Sequence, residues 1–162
     1  MSVPVTLRAY AAQDDTFLLD LYASTRADEL ARLNWDAAQQ QAFVRMQCQA
    51  QRRSYLVQFP AAEYRIVQRG ADDVGRLIVD RTSDVIWLVD ISLLPEHRNA
   101  GIGTALIRDL QAEAAQAGRP VMLHVDKSNR ARHLYERLGF AQTADGEVYI
   151  EMAWRPGSEQ AG

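Results

Sequence analysis

Hydrophobic and polar positions in the N-terminal part of the chain predict a strand followed by two helices. Residues 3–9 alternate weakly, which indicates a strand. A first helix is expected after Asp14 or Asp15, either of which could cap it. Its apolar face would carry Phe17, Leu18, Leu21 and Tyr22. A second helix is predicted to begin after Asp36 and to end at about Tyr55. Its helical spacing is marked by Phe43, Met46, Ala50 and Arg53.

From residue 63 onward the pattern predicts mainly strands, with two further helices. The strands are expected at 64–68, 75–81, 85–93, 121–125, 140–143 and 147–154. The helices are expected at 101–117, where Ile102, Leu106, Leu110 and Ala114 share one face, and at 130–138. Gly118 and Gly139 are placed to end them, because glycine adopts the left-handed conformation at little cost. The order βααβββαβαββ indicates an α+β fold with a mixed sheet covered by helices.

Length and composition favour one globular domain. The 162 residues are 48% hydrophobic and 24% charged, which argues against a disordered chain. We expect a single domain over residues 1–156 and a flexible tail over 157–162. The net charge of −3 and the lack of a basic cluster argue against a nucleic-acid partner.

Other sequence features bear on location and metals. The N-terminus lacks a signal-peptide layout, and no apolar run approaches the ~18 residues of a membrane span, so a cytoplasmic protein without membrane contact is expected. The single cysteine, Cys48, excludes an internal disulfide framework and a cysteine-built zinc site. Three scattered histidines give no reason to expect any other metal site.

A glycine-containing turn after the strand at 85–93 indicates pyrophosphate binding. Gly101 and Gly103 open a helix, where unpaired N–H groups carry the positive end of the helix dipole. Without side chains, these glycines let a phosphate approach closely, and Arg98 adds a cation. A P-loop would need Lys-Ser/Thr after the last glycine, and a Rossmann turn would need glycine in place of Leu106.

A second motif follows the strand at 121–125. Asn129, Tyr135, Gly139 and Phe140 form the pattern N-x5-Y-x3-G-F, after R-x-x-G-x-G at 98–103. Together the two motifs resemble the GCN5-related N-acetyltransferase (GNAT) family over about residues 85–154. The resemblance implies a GNAT-like fold: a central, mixed, mostly antiparallel twisted sheet of six or seven strands. About four helices would flank it, and strands 4 and 5 would splay apart.

The resemblance also implies acetyl-CoA as co-substrate and places it along the chain. The pyrophosphate would be held by the backbone of Arg98, Asn99, Ala100, Gly101, Ile102, Gly103 and Thr104. Backbone groups of Ile91 and Leu93 would pair with the pantetheine arm and the thioester carbonyl, and Asn129 would hydrogen-bond the arm from the other side. Tyr135 would lie next to the sulfur.

Direct attack of an amine on a thioester requires an acid and a base. The tetrahedral oxyanion needs fixed N–H donors, and the departing thiolate needs a proton. Tyr135 is the candidate acid, and the alternative is a core tyrosine packed with Ala131 and Leu138. His124 is the candidate base, since histidine titrates near ~6.5, although it could instead point into the core. Asp90 either orients a loop or an arginine, or binds or deprotonates the acceptor, and a water could also serve as base.

In this family the segment between the first two strands shapes one wall of the acceptor pocket. Here it contains Tyr22, Trp35, Phe43, Tyr55, Phe59 and Tyr64 with Asp28, Glu29 and Asp36. Aromatic and acidic side chains suit a cationic amine, although most of these rings could be core. The expected activity is N-acetylation of a small-molecule or peptide amine. The alternative functions are a non-catalytic acyl-CoA-binding or sensing module and a protein that binds other nucleotides. A homodimer through a strand edge at 148–154 is possible.

Overall fold

The computed structural model describes residues 4–157, which form one seven-stranded sheet and five α-helices. The strands are β1 (Val5–Ala9), β2 (Glu63–Arg69), β3 (Asp72–Arg81), β4 (Ile86–Leu93), β5 (Val121–Asp126), β6 (Ala141–Asp145) and β7 (Tyr149–Trp154). The helices are α1 (Asp15–Thr25), α2 (Ala27–Ala31), α3 (Ala37–Gln58), α4 (Ile102–Ala117) and α5 (Ala131–Arg137). The strand order is β1-β2-β3-β4-β5-β7-β6, with β4 and β5 parallel. The predicted α+β class and mixed sheet are confirmed.

Two compact units divide the described chain. The first comprises the residues up to Ile78 together with Asp90–Arg98, and its helical cluster buries Tyr22, Leu30 and Val44. The second comprises Val79–Val89 and the residues from Asn99 onward. Its core includes the predicted face of α4, since Ile102, Leu106, Leu110 and Ala114 are all buried. The single domain expected over 1–156 stays a prediction. The expected tail lies outside the described residues, except for Gly157.

Local signals explain where α3 begins and where α4 ends. Asp36 caps α3 by accepting a hydrogen bond from the Gln39 N–H at 2.8 Å, and the Gln39 side chain accepts from the Asp36 N–H at 3.0 Å. Gly118 ends α4 in the left-handed conformation, at φ 67°. Asp14 precedes α1, but its side chain does not cap that helix. Its buried carboxylate instead accepts two hydrogen bonds from the Arg8 guanidinium, at 2.7 and 2.9 Å.

Two sequence expectations in the helical segment were wrong. The short helix α2 was missed, because five residues with one buried side chain, Leu30, give too little periodicity to detect. The predicted face of α3 was also misplaced. Val44 is its buried residue, whereas the Met46 side chain is 53% exposed. The face of α3 that includes Val44 is buried because α3 packs against α1 through it.

The predicted dimer edge was also wrong. β7 lies between β5 and β6 and pairs antiparallel with both, so its backbone groups are used within the sheet. The outer strand on this side is β6, whose residues are all exposed. A homodimer stays a prediction.

Two searches of residues 4–157 bear on membranes and metals. No helix there has the length and apolar character needed to cross a membrane. Nor do three or more His, Cys, Asp or Glu side chains in that range come together in a way that could hold a metal ion.

Candidate active site

The predicted phosphate loop begins at the C-terminal end of β4, in the first unit. A short 3₁₀ turn, Pro95–His97, follows the strand. Arg98 then reaches back, and its Nε donates a hydrogen bond to the carbonyl of Leu93 at 2.9 Å. Of the Leu93 backbone groups, which the family resemblance assigned to the bound arm, the carbonyl is therefore engaged by Arg98. The two Nη atoms of Arg98 remain as the part of the guanidinium that could contact a phosphate.

The loop continues in the second unit with an unusual backbone. Asn99 has φ 61°, the only positive value at a non-glycine residue among those described, and Gly101 has φ 83° as the N-cap of α4. No side chain caps this helix, which leaves the first N–H groups of α4 available. A Cβ atom placed on Gly101 or Gly103 would meet no protein atom within 4 Å. The glycines therefore face open space.

The parallel pairing of β4 with β5 is short, in agreement with the splay that the family resemblance implies. Their parallel pairing runs from Ile86 to Leu88 on β4 and stops there, whereas β5 stays paired with β7 as far as Asp126. Ile91 and Leu93 lie on β4 beyond the paired stretch. The β4 backbone groups beyond the paired stretch, in the first unit, could pair with an extended arm.

Gly75 on β3 fixes the end of β4 within the first unit. A Cβ atom here would overlap the Ser92 carbonyl oxygen and would lie 2.7 Å from the Leu93 side chain. The Leu94 N–H also donates to the Val74 carbonyl at 2.8 Å. The close approach of the two strands therefore requires glycine, and it holds the segment assigned to the arm.

Asn129 lies in the turn between β5 and α5. Its Oδ1 accepts a hydrogen bond from the Ala131 N–H at 2.9 Å, and its own N–H donates to the Asp126 carbonyl at 2.9 Å. These bonds fix the side chain and leave Nδ2 as the group that could donate to a carbonyl of a bound arm.

Tyr135 is buried on α5, with 8% of the residue exposed. Its ring packs edge-on against Phe140 at a centroid distance of 5.8 Å. The sequence left open a catalytic and a core role, and this packing gives Tyr135 a core contact. The role of its hydroxyl as an acid stays a prediction.

Leu123 and Val125 are buried on one face of β5, and His124 lies on the other face. Its side chain is 39% exposed. The alternative of a core histidine is therefore wrong. Its Nε2 lies 3.4 Å from a carboxylate oxygen of Glu151 on β7, and its ring lies 5.2 Å from that of Trp87. Glu151 also accepts a hydrogen bond from the Thr143 hydroxyl at 2.8 Å, which orients the carboxylate.

Asp90 forms an ion pair in the first unit. Its Oδ2 accepts from Nε and Nη2 of Arg76 at 2.9 and 2.7 Å, and from the Ser92 hydroxyl at 3.1 Å. Burial opposes the charge of Arg76, but pairing with Asp90 outweighs it, and the pKa of Arg76 is raised. Of the two readings that the sequence left open, the orientation of an arginine has direct structural support.

A cavity of about 490 Å³ lies among α1, α3, β2 and β3. Tyr55 and Tyr64 line it, but the other four predicted aromatic residues do not. Of those, Tyr22 and Phe59 are buried, and Trp35 packs on Phe43 at 5.2 Å. The predicted acidic residues are also absent from its lining, which instead includes Arg45, Arg52 and Arg76.

Sequence reasoning missed Glu151 and these arginines for different reasons. Glu151 reaches His124 only through the register of β7 on β5, which no local pattern encodes. Arg45 and Arg52 are seven residues apart on α3, two helical turns, so that spacing was a signal that they share a face.

Comparisons with known proteins bear on the family to which this chain belongs. Residues 25–140 match the model of the Acetyltransferase (GNAT) family. The [Ribosomal protein bS18]-alanine N-acetyltransferase of Haemophilus influenzae is 34% identical over 68 residues, which are 41% of this chain and 47% of that protein. The match thus spans about half the length of this curated relative.

Solved structures share the fold at low identity. The PaiA N-acetyltransferase of Thermoplasma acidophilum, solved in complex with coenzyme A, has a TM-score of 0.69 at 13% identity, with 94% of this chain and 99% of that chain covered. The ribosomal-protein-S18-alanine N-acetyltransferase of Escherichia coli has a TM-score of 0.58 at 20% identity, with 94% of each chain covered. The family match covers most of the chain and includes both sequence motifs, and the chain therefore belongs to the GNAT acetyltransferase family.

Proposed function

We propose that this chain is an N-acetyltransferase that uses acetyl-CoA and acetylates a primary amine of a small molecule or peptide by direct attack. The observation that carries the proposal is the start of α4, where Gly101 and Gly103 present backbone N–H groups to open space. Family membership supports the same conclusion, as does the coenzyme A bound to the fold neighbour from T. acidophilum.

Acetyl-CoA supplies an acetyl group already activated as a thioester. The chain's part is to bind and orient it. The N–H groups at the start of α4 and the Nη atoms of Arg98 would hold the pyrophosphate. The unpaired end of β4 and the Nδ2 of Asn129 are the groups that we assign to the arm.

The proton transfers are assigned to two side chains. Tyr135 would donate a proton to the departing thiolate, because a phenol can protonate it and the burial of the ring fixes its position. His124 would accept the proton of the acceptor amine, directly or through a water. Glu151 would act as a positioning residue that holds the imidazole, since its carboxylate is 3.4 Å from Nε2.

The proposal also covers the kind of amine that is acetylated and a cytoplasmic location for the protein. A peptide α-amine is one acceptor to test, because the name of the H. influenzae relative gives the alanine of a ribosomal protein as its substrate. Cys48 is unbridged, which suits the reducing conditions of a cytoplasmic location.

The proposed function is tested by thiol release. Purified protein with acetyl-CoA and a panel of amines, including amino acids and peptides with a free N-terminus, should release coenzyme A only when an acceptor is present. Tight acetyl-CoA binding without thiol release from any amine would contradict the proposal and favour the acyl-CoA-binding module.

The His124→Ala variant should lose activity in a pH-dependent way. Without the base, only the fraction of acceptor that is already neutral can react, so the loss should be largest below the pKa of the acceptor amine. We expect a reduction of ~10²-fold there and partial recovery as the pH rises through that value. The measurement is kcat/KM from pH 6 to 10. His133→Ala, an exposed histidine on α5, is the control, and an equal loss at every pH would contradict the assignment of His124 as base.

A further inference from the structure

The cavity of the first unit has the size and lining of a small-molecule pocket. Its volume of about 490 Å³ lies within the range of ligand sites and would hold a group the size of an amino acid or a dipeptide. One part of the wall is apolar and includes Leu18, Leu19 and Leu56. A ligand that fits this cavity would therefore have an apolar part. It would also carry polar groups that match the charged and hydroxyl side chains in the rest of the wall.

The charges around the cavity leave one cation in excess. Arg45, Arg52 and Arg76 line it, opposed by Asp15 in the lining and by Asp90, which pairs with Arg76. Arg76 is committed to Asp90 and to the Gln51 side chain, whose Oε1 accepts from Nη2 at 3.1 Å. Recognition of an anion therefore falls to the other two arginines.

Arg52 is held at the cavity but weakly paired. Its Nη1 lies 3.5 Å from Asp15 Oδ1, and its Nη2 donates to the Tyr10 hydroxyl at 3.2 Å. The same Asp15 oxygen also accepts a hydrogen bond from the Tyr10 hydroxyl, and this weakens its interaction with Arg52. Arg45 makes no ion pair with any residue in the part of the chain that the structure describes. Both guanidinium groups can therefore accept an anionic partner.

An unsatisfied hydroxyl in the wall also indicates a ligand. The Oη atom of Tyr64 is buried and has no hydrogen-bond partner among residues 4–157, yet Tyr64 lines the cavity. Leaving a buried hydroxyl unpaired is unfavourable, and a polar group of a ligand would satisfy it. Burial raises the pKa of Tyr64, so the hydroxyl keeps its proton and can donate.

We propose that this cavity is the acceptor pocket and that it takes an amine which also carries one carboxylate, held by Arg52 and Arg45 with Tyr64 as a further donor. The inference rests on the proposed function and specifies its substrate class: an apolar amino acid, free or at the C-terminus of a short peptide. A single excess positive charge matches a monoanion better than a phosphate dianion. Three arginines in the lining disfavour a polycationic acceptor such as a polyamine.

The pocket also connects to the strand proposed to hold the thioester. Arg76, in its lining, is paired with Asp90, which directly precedes Ile91 on β4 within the same unit. A substrate anchored by its carboxylate would therefore be held in the unit that includes this strand. This arrangement assigns Arg52 and Arg45 to substrate specificity and leaves the proton transfers to other residues.

The test uses binding without acetyl-CoA, so that its outcome is independent of catalysis. Calorimetry would compare N-acetyl-leucine, N-acetyl-methionine and N-acetyl-phenylalanine, which resemble reaction products, with their carboxamides. At least one carboxylate should bind ~10- to 100-fold more tightly than its amide, the effect expected of charge-assisted hydrogen bonds. Arg52→Gln should remove most of this preference, and Tyr64→Phe should weaken carboxylate binding. Arg53→Gln, an exposed neighbour on α3 that does not line the cavity, is the control.

Two outcomes would overturn the inference. One is equal binding, or no binding, of all the acids and amides by protein that binds acetyl-CoA normally. The other is an unchanged preference in Arg52→Gln and in the Arg45→Gln/Arg52→Gln double variant.

A second binding comparison uses N-acetyl-alanyl-leucine and its amide. Tighter binding of this dipeptide than of N-acetyl-leucine would identify a peptide C-terminus as the source of the carboxylate, and the reverse would identify a free amino acid. Failure to bind acetyl-CoA would instead count against the proposed function.

Discussion

Replacing Gly103 with valine is expected to abolish acetyl-CoA binding and leave the fold intact. Gly103 lies in the first turn of α4, where an added Cβ would meet no protein atom within 4 Å. Protein packing therefore tolerates the side chain, but the space proposed for the pyrophosphate would be filled. Loss of the charge-assisted hydrogen bonds made there should weaken binding by more than ~100-fold.

The measurement for Gly103→Val is calorimetry with acetyl-CoA, together with a thermal melt. Ala112→Val places the same β-branched residue at an exposed position later in α4, and it should bind acetyl-CoA as the wild type does. Normal binding in Gly103→Val would show that the glycine turn does not contact the cofactor. Loss of binding together with a collapse of the melting temperature would mean that the residue serves the fold, which also contradicts the assignment.

Tyr135→Phe is expected to reduce kcat by ~10²–10⁴-fold, the usual contribution of a general acid, with little change in acetyl-CoA affinity. The substitution removes only the hydroxyl and keeps the ring that packs on Phe140 at 5.8 Å. A loss of stability large enough to explain such a fall is therefore not expected.

Steady-state thiol release tests Tyr135→Phe, with acetyl-CoA affinity measured separately. Tyr149→Phe removes a hydroxyl from an exposed tyrosine and should leave turnover unchanged. If Tyr135→Phe also turns over normally, Tyr135 is a core residue, as its packing alone would allow, and the acid must be sought elsewhere.

Sequence patterns predicted the elements whose signals are local. The strong 3.6-residue repeat of α4 and its glycine C-cap were identified, as was the start of α3 after Asp36. In contrast, α2 spans only five residues, which is too short for a periodic signal. The burial of Val44 in place of Met46 depends on how α3 packs against α1, which the α3 sequence alone does not encode.

In the candidate site, too, the features that depend on nearby residues were predicted and those that depend on strand register were not. The glycine turn and Asn129 were identified because their chemistry depends on residues that are close in sequence. The contact of His124 with Glu151 and the position of β7 inside the sheet depend on strand register, which is set by the whole sheet. The arginine lining of the cavity was not predicted, because the expected pocket residues were aromatic and acidic, and several of these are buried in the core or cap a helix.

Calorimetric titration with acetyl-CoA, coenzyme A, NAD and ATP in one buffer is the most direct test of the central claim, that the turn from Arg98 to Thr104 binds the pyrophosphate of acetyl-CoA. Micromolar binding of acetyl-CoA and coenzyme A, with no response to NAD or ATP, is the expected result. Failure to bind either form of coenzyme A, or tighter binding of NAD or ATP, would contradict the claim, and the proposed function would fall with it.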